Sequence, residues 1–370
     1  MIPSGDLAIL MALKSLSIDG FRNIEAVELL FSPHLNLFVG ANAAGKTSLL
    51  EALFVLSRGR SFRTRNLDKT ICSGGKGFQL VAKVCRTEGR DIPVGISRSE
   101  KKLIARIDSK PIRRLSELAA LFPIQWLGGN LHRLIEEGPA FRRQYLDWGL
   151  FHVKQTYLQV WKQFHKLLKQ RNAALRKHAS AQEISAWDTE LAARGEELHQ
   201  MRERYTIDLE AVLLTICAEL LDMDRELKIS YRRGWSQDLS YRQALQAGLT
   251  RDKELGYTRA GPQRAELAFF CAGQPLSEQL SRGQLKLFVT ALKVAQVQLL
   301  KLETSQNSLF LMDDIGAELD EDNQFRVLRL LRSVGAQVFV TAINGIEKTG
   351  WGSDQVGRFH VKHGVVTKVV

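Results

Sequence analysis

Cysteine is scarce in this chain. Cys72, Cys85, Cys217 and Cys271 are the only four in 370 residues, and no pair has CxxC spacing. That excludes a zinc ribbon and a dithiol redox motif, and four cysteines are too few for a disulfide framework at this length. Reduced thiols in a cytoplasmic protein are the expected state. Long apolar runs are missing as well. No stretch reaches 18 apolar residues, so neither a membrane-spanning helix nor a membrane partner is expected. The apolar stretch Leu7 to Leu13 is short, follows a single acid (Asp6), and lacks the basic start and cleavage site of a secretory signal. Gly (28) and Pro (8) together make about a tenth of the chain, which excludes collagen-like and low-complexity classes. Residues 1–10 are expected to be an extension ahead of Met11-Ala-Leu-Lys14.

What the chain has in excess is positive charge. Lys+Arg number 52 against 40 Asp+Glu, for a net charge of +12. Such a balance points to an anionic partner, either nucleic acid or an anionic membrane surface. The length suggests about two domains with a sizeable buried core.

Along the chain, β-prone segments at Leu16 to Ile24 and Leu35 to Val39 lead to Gly40. A helical pattern follows over Lys46–Leu56, with Leu49, Leu50, Leu53 and Leu56 on one side. Residues 78–108 alternate like strands. From about 142 to 228 the pattern is long helices without Pro. One is expected over Tyr157–His178 and another from Ile184, where Ile184, Trp187, Leu191, Leu198, Met201 and Tyr205 form a coiled-coil-like stripe. A helical hairpin is the simplest reading. Further on, Ser308–Met312 and Gln337–Thr341 read as buried strands around a helix at 321–333, a βαβ pattern that implies a mostly parallel sheet.

Gly40-Ala41-Asn42-Ala43-Ala44-Gly45-Lys46-Thr47 matches the phosphate-loop pattern G-x-x-x-x-G-K-[ST] in full. Glycines let successive N–H groups turn inward around phosphates. Lys46 supplies a point charge, the Thr47 hydroxyl a Mg²⁺ ligand, and the helix N-terminus a partial positive charge. A strand ending in an acid should complete the cation site. Phe310-Leu-Met-Asp313-Asp314 supplies it, with Asp313 holding Mg²⁺ and Asp314 orienting or deprotonating water.

Leu280-Ser281-Arg282-Gly283-Gln284 lies 29 residues before Asp313 and resembles the signature of ABC-type ATPases. Phosphate loop, signature and acidic strand end occur in that family's order. The resemblance implies that Ser281, Gly283 and Gln284 contact ATP bound to a second copy, so that ATP joins two protomers. By the same resemblance Asp320 is the D-loop acid, Gln125 senses Mg²⁺ and the γ-phosphate, and Ser48 and Arg22 join the nucleotide site. From Met11 to about Val370 the chain is similar to the RecF branch of the ABC/SMC-like P-loop ATPases. That similarity rests on Phe21-Arg-Asn-Ile24, Gly59-Arg-Ser-Phe-Arg63, Arg142-Arg-Gln-Tyr-Leu-Asp147, Lys169-Gln-Arg-Asn-Ala-Ala-Leu175, Gly261-Pro-Gln-Arg264 and Phe359-His-Val-Lys-His-Gly364. Gly128-Gly-Asn130 stands where the family usually has Pro-Glu, and Gln263 where it usually has His.

The implied fold is α/β, an ABC-type ATPase head with a mixed sheet, split into 11–145 and 250–370 by a helical lobe at 146–249. The implied activity is weak, DNA-stimulated ATP hydrolysis. Asp314 is one methylene shorter than the Glu many ABC ATPases place there, and the strand ending Val340-Thr-Ala342 lacks the usual His, so turnover should be slow. The implied roles are action at single-strand gaps and single/double-strand junctions, recombinase loading, replication restart and SOS induction, with RecR and RecO as partners.

Residues 142–177 hold nine Lys/Arg and one acid, Asp147. Lys162, Lys166, Lys169 and Arg176 share one helix face, and Arg58, Arg60, Arg63 and Arg65 form a second basic set. Both are candidates for backbone contacts to DNA with little sequence preference. The first could equally contact ATP or a partner subunit, and a solvated helix face is the plain alternative. Two rival functions remain at this stage, a static SMC-like DNA tether and a transport-type ABC ATPase subunit. The short hairpin argues against the first, and the basic helical hairpin and the missing His after Val340-Thr-Ala342 against the second.

Overall fold

A computed structural model of the chain describes residues 11–86, 91–129, 131–221 and 227–369. The expected extension at 1–10 lies outside these. The chain forms two compact units, one from the residues up to Leu131 together with those from Thr290, the other from His132–Val289. Patterning puts the borders at 145/146 and 249/250, inside this second unit. The reason is that helix Pro139–Val153 packs on strand Glu266–Cys271, and Arg142 donates to Glu266 at 2.7 Å.

In the first unit an antiparallel sheet runs in the order Ile24–Leu30, Met11–Phe21, Gly77–Arg86, Asp91–Ser99, Lys102–Ile107, Lys110–Pro111. A turn at Arg22–Asn23, with Arg22 at φ 60°, divides what patterning reads as one segment into two paired strands. The second sheet is mixed, in the order Val365–Val369, Val356–Lys362, Leu35–Val39, Gln337–Ala342, Leu309–Met312, Ile124–Leu127. Only its Val356–Lys362/Val365–Val369 pair is antiparallel. The βαβ unit appears as read, since Leu309–Met312 and Gln337–Ala342 are parallel neighbours joined through helix Glu321–Ser333.

Helix Lys46–Arg58 is buried along nearly its whole length. Its buried polar side chains are met within the fold, Ser48 by Asn23, Glu51 by Arg22 and Ser57 by the Phe122 carbonyl. Its leucines share one core with residues of both sheets, including Leu16, Leu80, Ile96, Leu311 and Phe339. Fully burying a Leu or Phe side chain contributes about 1.5–3 kcal/mol, so this core holds the helix firmly.

The second unit carries helices Tyr157–Arg176, Ala181–Ser185 and Asp188–Leu221, with the first and last packed together as the expected hairpin. It also holds a three-stranded antiparallel sheet, Gln274–Pro275, Glu266–Cys271, Leu227–Arg232. Two arginines are buried in it. Arg171 donates to Asp188 and to Asp252, each at 2.7 Å, and to Thr258 at 2.8 Å. Arg202 donates to Asp147 at 2.7 Å and to the Pro262 carbonyl at 2.8 Å. Arg171 therefore does not belong to the basic surface counted over 142–177, and neither do Arg142 and Arg143, which bond Glu266 and the Ala265 carbonyl. Asp147, the one acid of that run, accepts from Tyr157, Trp161 and Arg202. Among the described residues no helix is long and apolar enough to cross a membrane.

Removing Arg171 would leave two carboxylates buried without their cation. Arg171→Met is expected to cost about 3–5 kcal/mol, read as a lowered urea midpoint. Lys169→Met, on the exposed face of the same helix, should stay within about 0.5 kcal/mol of wild type. Equal midpoints for the two variants would contradict the assignment.

Candidate phosphate-binding site

Strands Leu35–Val39, Gln337–Ala342 and Leu309–Met312 are parallel, so their C-terminal ends share one sheet edge. That edge brings together Gly40, Thr341 and Asp313, which are distant in the chain. Gly40 is required sterically, because a Cβ there would stand 2.2 Å from the Val361 carbonyl oxygen. Gly45 caps helix Lys46–Arg58 at φ 114°, a conformation that favours glycine. The loop N–H groups at this helix start form an anion cradle.

Lys46 is buried, and its ammonium donates to the Gly40 and Ala41 carbonyls at 2.7 and 2.9 Å. The Thr47 hydroxyl lies 3.0 and 2.9 Å from the two Asp313 carboxylate oxygens. A hydroxyl and a carboxylate in contact form a hard-oxygen donor pair suited to Mg²⁺. A cleft of about 650 Å³ opens over the loop, lined by residues 42–48, Asp313, Asp314, Arg22, Asn23, Arg63 and Lys69. The structure thus gathers the predicted loop residues, Arg22, Asp313 and Asp314 in one place.

Other predicted residues lie elsewhere. Gln125 sits within strand Ile124–Leu127, paired with Phe310, three residues short of Asp313. It is buried, donates to Gln296 at 2.9 Å, and does not line the cleft. The position assigned to it as a Mg²⁺ contact is therefore not realised. Arg58 is not a surface contact either. It packs over the Phe54 ring and donates to the Ile124 carbonyl at 3.2 Å, and burial lowers its pKa to about 10. Arg63 lines the cleft instead of a separate basic surface, while Arg60 and Arg65 are exposed. Lys162, Lys166, Lys169 and Arg176 are exposed on helix Tyr157–Arg176 as expected.

Ser281, Gly283 and Gln284 are exposed at the start of helix Arg282–Thr304. The Ser281 N–H donates to the Gln284 amide oxygen at 3.0 Å, and the Gln284 N–H to the Ser281 hydroxyl at 3.3 Å. Asp320 is an exposed N-cap, accepting from the Asn323 N–H at 2.9 Å.

Three site residues escape a reading of the sequence. Glu51, fully buried, accepts two bonds from Arg22 at 2.8 and 2.6 Å and braces Arg63 at 3.5 Å. Its signal was a lone acid inside an otherwise apolar helix. Asn23 accepts from Ser48 at 2.9 Å and so ties the Arg22–Asn23 turn to the phosphate loop. Thr341, the single hydroxyl in an apolar strand, donates to Asp313 at 2.7 Å and accepts from the Asp314 N–H at 2.8 Å.

Comparison with known proteins gives a consistent picture. The family described as RecF/RecN/SMC N terminal domain matches residues 12–367. A DNA replication and repair protein RecF from Pseudomonas paraeruginosa is 39% identical over 363 residues, covering 97% of this chain and 98% of its own. A solved structure of the recombination mediator protein RecF-ATPrS in the RecFOR pathway has a TM-score of 0.85 at 25% identity, over 97% and 98% of the two chains. An Smc head domain derived from Pyrococcus furiosus has a TM-score of 0.59 at 14% identity, over 97% and 96%, which is a likeness of fold.

Thr341→Val would keep the shape of the strand and remove both hydrogen bonds. The expected cost is about 1–3 kcal/mol in chemical denaturation, with the slope unchanged. Thr341→Ser retains the hydroxyl and should remain close to wild type. A valine variant as stable as wild type would mean that these bonds contribute nothing.

Proposed function

The chain belongs to the RecF/RecN/SMC N-terminal-domain family of DNA replication and repair, and from that membership we propose an ATP-dependent DNA-binding protein that pairs with a second copy when ATP is bound. The observation that carries this reading is the contact of Thr47 with Asp313 beneath a complete phosphate loop. Loop N–H groups and the helix start hold the phosphates. Lys46 leaves the Gly40 and Ala41 carbonyls and meets their charge. The Thr47 hydroxyl and the Asp313 carboxylate would hold Mg²⁺, which would supply positive charge against the phosphates. Thr341 holds the Asp313 carboxylate in place for that role. Asp314 orients water with a short arm, so hydrolysis is slow and times the life of the dimer.

Gly283 supports the pairing. Glycine inside a helix costs about 1 kcal/mol relative to Ala. Nothing in its own chain needs the missing side chain, since no atom lies within 4 Å of where a Cβ would stand. The exposed glycine suits close approach by the nucleotide of a second copy, with Ser281 and Gln284 beside it; exposed Asp320 is the D-loop acid of the same proposal. Exposed Lys162, Lys166, Lys169 and Arg176 suit DNA phosphates, so binding should weaken steeply with salt. Action at single-strand gaps and junctions, recombinase loading with RecR and RecO, replication restart, SOS induction and a cytoplasmic location complete the proposal.

Sedimentation velocity with ATP, with ADP and without nucleotide tests it, each with and without gapped DNA. Wild type should dimerise with ATP, and Lys46→Ala should lose both nucleotide binding and dimer. Gly283→Gln should bind ATP as wild type does and remain monomeric. Wild type that stays monomeric with ATP in every condition would defeat the trans role of Ser281 and Gly283.

A further inference from the structure

The loop between helix Leu249–Leu255 and strand Glu266–Cys271 is held with unusual force for a surface loop. Buried Thr258 receives a bond from Arg171 at 2.8 Å, and its N–H and hydroxyl both donate to Asn172, at 2.8 and 2.7 Å. The Arg259 N–H donates to buried Asp252 at 3.0 Å. Tyr241 donates to the Ala260 carbonyl at 3.1 Å, and Arg202 to the Pro262 carbonyl at 2.8 Å. Gln263 closes the turn by donating to the Thr258 and Ala260 carbonyls. Connecting loops usually move and carry few such anchors.

What this rigid loop turns outward is basic and aromatic. Tyr257 is 39% exposed, and Arg259 and Arg264 are exposed. The Arg264 guanidinium lies 5.3 Å from the Tyr257 ring centroid. Next to Tyr257, Gly256 (φ 72°) abuts Arg176, whose Cγ would lie 3.2 Å from a Cβ there. The loop therefore continues the exposed basic face of helix Tyr157–Arg176. The acids at hand are already matched, Asp252 by Arg171 and Glu254 by Arg251 at 2.7 Å. An aromatic ring among unmatched cations on a rigid frame suits a polyanion that also has flat faces to stack.

We propose that Tyr257, flanked by Arg264, Arg259 and Arg176, is a base-stacking platform for single-stranded nucleic acid. The phosphates would follow the arginines, and a base would stack on the Tyr257 ring. Duplex DNA keeps its bases stacked inside the helix and can use only the charges. This inference rests on the DNA-binding reading above and adds to it a site that tells single strands from duplex.

The test measures binding of fluorescent oligo-dT and of a duplex of equal length by anisotropy, using the full-length protein. Tyr257→Ala should weaken oligo-dT binding by about 5- to 150-fold, the span of one base–aromatic stack, and leave the duplex within about twofold. Tyr257→Phe should restore wild-type binding. Arg259→Gln with Arg264→Gln should weaken both ligands and flatten the salt dependence. Crosslinking of wild type to 5-iodouracil DNA should map to Tyr257, a readout that needs no variant. Equal loss on both ligands for Tyr257→Ala, or no loss on either, would overturn the platform. Wild type that binds neither ligand at low salt would instead overturn the DNA-binding reading itself.

Discussion

Complete burial of helix Lys46–Arg58 is the constraint on which the first unit depends. The apolar residues of the helix take cover from two sheets at once, and its buried polar ones need partners inside the fold. One sheet cannot do this, and neither sheet is stable with that face open to water. The phosphate loop is the N-terminal end of this wedge. Its position is fixed by packing along the whole helix, and a functional loop of glycines and alanines needs few contacts of its own. Glu51, an acid in the middle of the wedge, is paired with Arg22, which lines the cleft. Core and site are thus joined through a single carboxylate.

The catalytic edge of the fold was legible because it is written in local chemistry. A phosphate loop needs particular residues in one order, and an apolar run ending in Asp-Asp can be placed at a strand end without coordinates. The βαβ arrangement followed from residue periodicity for the same reason. What could not be read was direction. Counting charges over 142–177 gave nine cations, yet Arg142, Arg143 and Arg171 turn inward to partners about 80 to 124 positions away in sequence. Arg58 looked like the first member of a basic set, whereas the helix it ends on is buried and carries it inward too. Gln125 failed through register: the residue type fits a phosphate sensor, but its strand places it too deep. Thr341 was invisible because a threonine in a strand is ordinary until the partner strands are known.

The second unit builds its interior around charge. It uses two buried arginines as structural nodes and leaves the lysines outside. Arginine suits the interior because its planar fork can satisfy several acceptors at once, and lysine cannot replace it there. Separating the two residue types lets the lobe present a basic face on helix Tyr157–Arg176 and still hold a well-satisfied interior.

The backbone at Asp314 carries a consequence for how this site could change. Its φ of 48° and ψ of 57° lie in the left-handed region, which asparagine and aspartate tolerate better than longer side chains. Lengthening the acid to glutamate therefore confronts the main chain as well as the chemistry. A lineage selecting faster turnover could not take that step alone, and would first have to reshape the turn that the Thr341 hydroxyl holds. The length of the acid and the twist of one residue would then be inherited together.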